Sequence, residues 1–274
     1  MKAHLILGGG GVRLHAREWG NERGTPLVFI HGWAQSHLCW ARQYQSELAG
    51  EFRLVAFDLR GHGMSETPPA GDAFGADVFA QDLAAVLDAL ALERPILVGW
   101  SYGGFVICDY LKQLGDRRLG GINLVAAGAA LGPAAFGTLI GPGFLDHAPD
   151  ACADDLATRI AATRRLLRAC LPGVSDEDFE TSLAAMMIVA PQVRAALIGR
   201  EIDGAPALAA VSVPVLVSHG RADTVVLPAM SEHILGCCKT ARATWYDGVG
   251  HAPFLEAPAR FNAELAAFAR SALA

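Results

Sequence analysis

Apolar positions along this chain follow two rhythms that alternate. Short, mostly apolar runs, Leu27 to Ile30, Phe52 to Phe57, Ile96 to Val98 and Gly121 to Ala126, read as buried strands. Between them, apolar residues recur at helical spacing: Trp40, Tyr44 and Leu48, then Val78, Leu83, Val86, Leu87 and Leu90, then Phe105, Val106, Tyr110 and Leu111. Ahead of these, His4 to Leu7 and Val12 to Trp19 predict two strands joined by a turn at Gly8 to Gly11. The second strand alternates Val12, Leu14 and Ala16 with Arg13, His15 and Arg17, which puts His15 on its polar face. Strand and helix in alternation, joined by right-handed crossovers, predict an α/β chain. Its sheet is mostly parallel with helices on both faces, and its site lies at the carboxyl ends of the strands.

The rhythm breaks from about Gly128 to Leu208, where no strand is evident. Helical patches (Leu156, Ile160 and Leu167; Phe179, Leu183, Met186 and Met187) lie between Gly and Pro breaks, and predict a helical cap. The sheet resumes at Val213 to Val217. A short helix from Ala229 to Leu235, a strand from Ala243 to Tyr246 and a final helix carrying Phe261, Leu265 and Phe268 complete the chain. The expected organisation is a core of residues 1–127 and 209–274 with an inserted cap of residues 128–208.

The strand at Ile96 runs into Gly99-Trp100-Ser101-Tyr102-Gly103 and then into a helix, the pattern of a nucleophile elbow. Side chains at Gly99 and Gly103 would collide with the strand-to-helix crossing. A serine at its free pKa is a poor nucleophile and needs a base within hydrogen-bond reach. Of nine histidines, His251 sits in a glycine-flanked loop just after a strand, whereas His37 and His233 fall on helical stretches and His62 in a turn. The base in turn needs an orienting carboxylate, and Asp223 follows a core strand. Gly8 to Gly11 is followed by an alternating strand rather than a helix N-terminus, which argues against a phosphate cradle.

Composition narrows the field. A chain of 274 residues, 52% hydrophobic and 18% charged, can bury a large core. The formal net charge of -6, with no dense Lys or Arg run, excludes a nucleic-acid surface. Six cysteines without a CxxC pair read as free thiols. Leu5, Ile6 and Leu7 are too few for a signal segment and no apolar run approaches membrane-spanning length, so a cytoplasmic protein without membrane insertion is expected. No close ligand cluster such as HExxH is present, so neither a metal nor another cofactor is expected.

Five segments, HGW at 31–33, DLRGHGMS at 58–65, GWSYGG at 99–104, HGRADTVV at 219–226 and GVGHAPFLE at 248–256, resemble those of the α/β-hydrolase fold family. The order Ser101, Asp223, His251 is also the family's order. The resemblance implies a Ser101-Asp223-His251 triad, with an oxyanion hole made by the backbone N–H groups of Trp33 and Tyr102. It gives Asp58 and Arg60 a role in holding their loop. Family members that carry the acid after the preceding strand are not matched, because Ala126 to Ala129 contains no carboxylate. Trp33, Tyr102, Phe136, Phe144 and Met187 are the candidate substrate contacts.

A serine at the elbow separates the chain from epoxide hydrolases and haloalkane dehalogenases, which carry aspartate there. The expectation is a serine esterase that cleaves a small-molecule ester or lactone through an acyl-enzyme, as monomer or dimer. Carbon–carbon bond hydrolases usually have methionine after the serine and tryptophan after the histidine, where this chain has Tyr102 and Ala252. Perhydrolases and haloperoxidases share the triad, and a ligand receptor retaining it is the non-enzyme alternative. The likeness to pimeloyl-carrier-protein methyl esterases meets a cap with six Arg against ten Asp and Glu, a poor match for an acidic carrier.

Overall fold

The computed structural model describes residues 1–69 and 72–273. Its ten strands are β1 (Lys2–Leu7), β2 (Arg13–Gly20), β3 (Pro26–Ile30), β4 (Arg53–Phe57), β5 (Ile96–Trp100), β6 (Gly121–Val125), β7 (Ala130–Leu131), β8 (Ile202–Asp203), β9 (Val215–Gly220) and β10 (Ala241–Tyr246). Eight of them form one sheet in the order β1-β2-β4-β3-β5-β6-β9-β10. Only the β1–β2 and β2–β4 pairings are antiparallel; from β4 to β10 the sheet is parallel, as the apolar runs imply.

Both faces are covered, as β5 illustrates, because successive side chains on a strand point to opposite sides. At Gly99 a side chain would meet Ile107 of the Tyr102–Leu114 helix, while the next residue, Trp100, packs its ring 5.0 Å from Phe254 on the other face. The chain builds outward from β3 to β4 and then returns to place β5 on the other side of β3. Ligands of open α/β sheets lie at such a reversal, outside the carboxyl ends of the strands.

Between β6 and β9 the helices Leu156–Cys170, Asp176–Ile188 and Pro191–Ile198 dominate, with N-caps from Asp155 and Ser175 on the first two. The insertion does contain strands: β7 and β8 pair antiparallel and pin its two ends together. Two-residue strands are too short to leave a periodicity, which is why the pattern showed none. Arg194 organises the interior of the insertion. Its buried guanidinium donates to Val189 O at 3.0 Å, Ala151 O at 2.7 Å and Thr163 Oγ1 at 3.0 Å, and also to Met186 O. Burial lowers its pKa to about 10. Arg42–Asp178 at 2.8 Å and Arg200–Asp109 at 2.7 Å tie the insertion to the core. Among the described residues, no single helix is long and apolar enough to cross a membrane.

His15 is not on a solvated face. It is buried, with its Nδ1 3.1 Å from Asp58 Oδ2. Asp58 also accepts from the backbone N–H of His37 at 2.7 Å and of Met64 at 3.0 Å, and from the His37 ring at 2.9 Å. His37 itself sits in a 3-10 turn, His37–Trp40. The two Nδ1–H groups are spent on the carboxylate, so this trio is a hydrogen-bonded anchor for the loop after β4. Arg60 lies beside it, paired with buried Asp82 at 2.7 Å, and Asp82 in turn accepts from Gly9 N–H at 2.8 Å. The glycine-rich loop is thus closed against a carboxylate.

Two further histidines of these loops are buried neutral. His31 donates from Nδ1 to Gly32 O and accepts from Leu59 N–H, and burial lowers its pKa to about 4. His62 donates to Arg60 O, and burial lowers its pKa to about 3. An unfolded histidine protonates near 6.5, so between about 6.5 and these folded values the unfolded chain binds more protons and stability falls with falling pH. Asp58 acts in the same direction: its protein donors outweigh the cost of burial and hold it below the ordinary carboxylate range. Its contribution is complete above that range and is lost as pH drops through it. Urea unfolding should therefore show a midpoint that declines steadily from about pH 7 to about pH 4, with a shallower decline in His62→Leu. A level midpoint would contradict the buried neutral histidines.

Candidate active site

Ser101 closes β5 with φ 51° and ψ -113°, at positive φ, which residues with side chains avoid. The surrounding backbone holds it there: Ser101 N–H donates to Val125 O at 3.1 Å, and Ser101 O accepts from Gly104 at 2.9 Å and Gly128 at 3.0 Å. The turn is possible because the helix after it comes almost into contact with β3. A Cβ at Gly103 would lie 2.5 Å from Ile30 O, and one at Gly99 would lie 2.8 Å from Gly103 O. A Cβ at Gly32 would be 3.2 Å from Ser101 Cβ, so the His31-Gly32-Trp33 turn lies directly against the serine.

Asp223 follows β9 and is buried with four donors. Oδ1 accepts from Val225 N–H at 2.8 Å and Val226 N–H at 3.1 Å, and Oδ2 accepts from His251 Nδ1–H at 2.7 Å and His219 Nε2–H at 3.0 Å. Burial raises its pKa, and the two imidazoles more than reverse this, leaving it below the ordinary value. His219 also reaches Val226 O through Nε2, which fixes the proton there and leaves Nδ1 to accept from Ser231 Oγ–H. His251 is held from its other side: Trp100 Nε1–H donates to its carbonyl at 2.9 Å, and Glu256 accepts from Gly250 and Ala252 N–H at 2.9 and 3.1 Å. With Nδ1–H given to Asp223, Nε2 of a neutral His251 carries the free lone pair.

Ser101 faces a cavity of two small lobes, about 30 and 20 Å³. Trp33, Ser101, Phe144 and Val225 border both. The first lobe is apolar, walled by Tyr102, Phe105, Leu131, Ile140 and Ile198. The second contains His251, Gln35, Trp100, Cys170 and Met186. Phe144 stands edge-on to Trp33 at 5.5 Å between ring centres. The Trp33 indole N–H donates to Arg194 O at 3.1 Å, and the Tyr102 phenol receives Arg200 at 3.0 Å, so both aromatic walls are fastened to the insertion.

Two expected contacts are corrected. Phe136 is 40% exposed and borders neither lobe; it lies in a turn that bridges to Ile140, and Ile140 is the residue that reaches the cavity. Met187 also borders neither lobe, and its neighbour Met186 does. One position is about 100° of helix rotation, and the run Leu183 to Ile188 is apolar on every side, which leaves the facing residue undetermined by pattern. His219, Ser231, Glu256 and Gln35 were not singled out by sequence. The first three lie in or near the quoted segments, but their roles depend on how the loops fold back on themselves, which brings together residues 4 to 12 positions apart.

Comparison with known proteins agrees with this architecture. Residues 27–264 match the model of the alpha/beta hydrolase family, and the chain belongs to that family. An esterase from Rhodococcus sp. ECU1013 superposes with a TM-score of 0.94 at 36% identity, over 99% of each chain. A putative aryl esterase from Burkholderia cenocepacia does so at 0.93 and 32%, again over 99% of each. A non-heme chloroperoxidase from Streptomyces lividans is 30% identical across 95% of this chain and 97% of its own.

The elbow yields a direct test. Gly103→Ala should destabilise the fold by roughly 1–3 kcal/mol through overpacking against a backbone carbonyl that cannot move aside. Gly50→Ala, where a Cβ meets nothing within 4 Å, should not. Thermal melting of the two variants makes the comparison, and equal melting temperatures would show that the helix and β3 are less tightly apposed.

Proposed function

We propose that this protein is a serine esterase that hydrolyses small carboxylic esters or lactones through an acyl-enzyme. The observation that carries the reading is the buried Asp223–His251 pair, 2.7 Å apart, opening on the same cavity as a serine held at φ 51°. Ser101 Oγ attacks the ester carbonyl while His251 Nε2 takes its proton, and Asp223 stabilises the imidazolium that forms. The backbone N–H groups of Trp33 and Tyr102 receive the oxyanion. His251 then protonates the departing alcohol, and water, activated by the same base, releases the acid. Residues 128–208 act as the lid over a core of 1–127 and 209–274. The small lobes favour compact substrates, and parting of the lid would admit larger ones.

A second reading is favoured by the likeness to the chloroperoxidase over nearly the whole chain. Hydrogen peroxide replacing water at the acyl-enzyme would release a peracid and regenerate Ser101. A panel of p-nitrophenyl, methyl and lactone esters, run beside a carbon–carbon cleavage substrate and with and without peroxide, separates these activities.

Ser101→Ala should lower kcat by about 10³-fold or more with the fold retained, and combining it with His251→Ala should add little, because the groups act as one unit. Retention of more than about a tenth of activity would reject the covalent mechanism. For the oxyanion donors, Trp33→Ala keeps the N–H and should chiefly change KM and selectivity, whereas Trp33→Pro removes it and should lower kcat by about 10²- to 10³-fold. Equal kcat in two variants folded by circular dichroism would place the second donor elsewhere.

A further inference from the structure

We propose that Gln35 determines leaving-group specificity: it accepts a hydrogen bond from the alcohol portion of the substrate. The preferred esters then join an apolar acid to an alcohol bearing its own hydroxyl or N–H. This rests on the esterase reading above. The side chain is 2% exposed, borders the cavity beside Ser101 and His251, and its Oε1 is shielded from solvent with no hydrogen-bond partner among the described residues. A buried amide oxygen without a donor is costly and rare, and at a reaction cavity the missing donor is naturally the ligand's. The backbone of Gln35 is also fixed to the loop beside Ser101, since its N–H donates to Gly32 O at 3.2 Å in the turn that follows β3.

Chemistry assigns the two lobes. The alkoxide that leaves takes its proton from His251 Nε2, so the alcohol must lie on the histidine side of Ser101. Of the two lobes, His251 borders the one that contains Gln35. The other, walled by Tyr102, Phe105, Leu131 and Ile198, offers no comparable side-chain acceptor and takes the acyl chain. An alkyl alcohol would bury the Gln35 acceptor unpaired, and a site built to hydrogen-bond a hydroxyl discriminates strongly against the analogue that lacks it.

The test compares 2-hydroxyethyl and propyl butyrate, which match in acyl group and in number of heavy atoms. In the unaltered protein kcat/KM should favour the hydroxyethyl ester. In Gln35→Leu and in the unbranched Gln35→Met, the hydroxyethyl-to-propyl ratio should fall by about tenfold or more. An unchanged ratio in either folded variant overturns the proposal. Binding of the same two esters to Ser101→Ala protein and to its Gln35→Leu derivative, by calorimetry, reads the preference without turnover. A tenfold preference lost with Gln35 supports the assignment, and equal affinities for the two esters overturn it. Failure of the unaltered protein to turn over either ester would count against the esterase reading, and the binding pair would still decide the role of Gln35.

Discussion

The N-terminus of the Tyr102–Leu114 helix comes so close to the end of β3 that Gly103 has no room for a methyl group. Most of the site follows from that contact. It forces the chain to reverse within a single residue after β5, which falls on Ser101 and leaves it at positive φ. It also sets the His31-Gly32-Trp33 turn against the serine, because that turn is what β3 becomes when it leaves the sheet. The strain at one residue is offset by the packing of a helix and two strands around it.

Buried carboxylates do the corresponding work for the other loops. Asp58 and Asp223 each lie at the end of a parallel strand, each receives four protein donors and each binds two imidazoles. An ionised carboxylate inside a protein must collect such donors or become neutral, so each aspartate fixes the loops that supply them. Only the Asp223 cluster faces the cavity. The Asp58 cluster repeats the same physics away from it, which shows that an aspartate with two histidines is not by itself a catalytic signature.

The parts of this arrangement that were legible in sequence are those set by sterics or by chain order. Gly99 and Gly103 mark the elbow because nothing larger fits, and the apolar runs mark the parallel strands because both of their faces are covered. What pattern did not reveal depends on distant partners. His15 alternates like a surface residue, yet Asp58 waits on that face. Met186 and Met187 are interchangeable to any periodicity, and only the packing of the helix chooses between them. Gln35 is a polar residue beside a motif, and its meaning depends on the cavity. The short β7–β8 pair has too few residues to produce a rhythm at all.

The indole of Trp33 joins two jobs usually kept apart. Its N–H is bonded to the backbone of Arg194, the residue whose side chain gathers the insertion's helices, while its own main chain continues the turn beside Ser101. If the insertion parts as the proposed lid, that displacement would pull on the turn as well. Under the proposed lid reading, entry and readiness would be mechanically opposed: the cavity would be most accessible when the peptide next to the serine is least well held. The proposed acyl-enzyme would gain from this, because a solvent rush on opening would meet a slackened site, and productive attack would wait for reclosure.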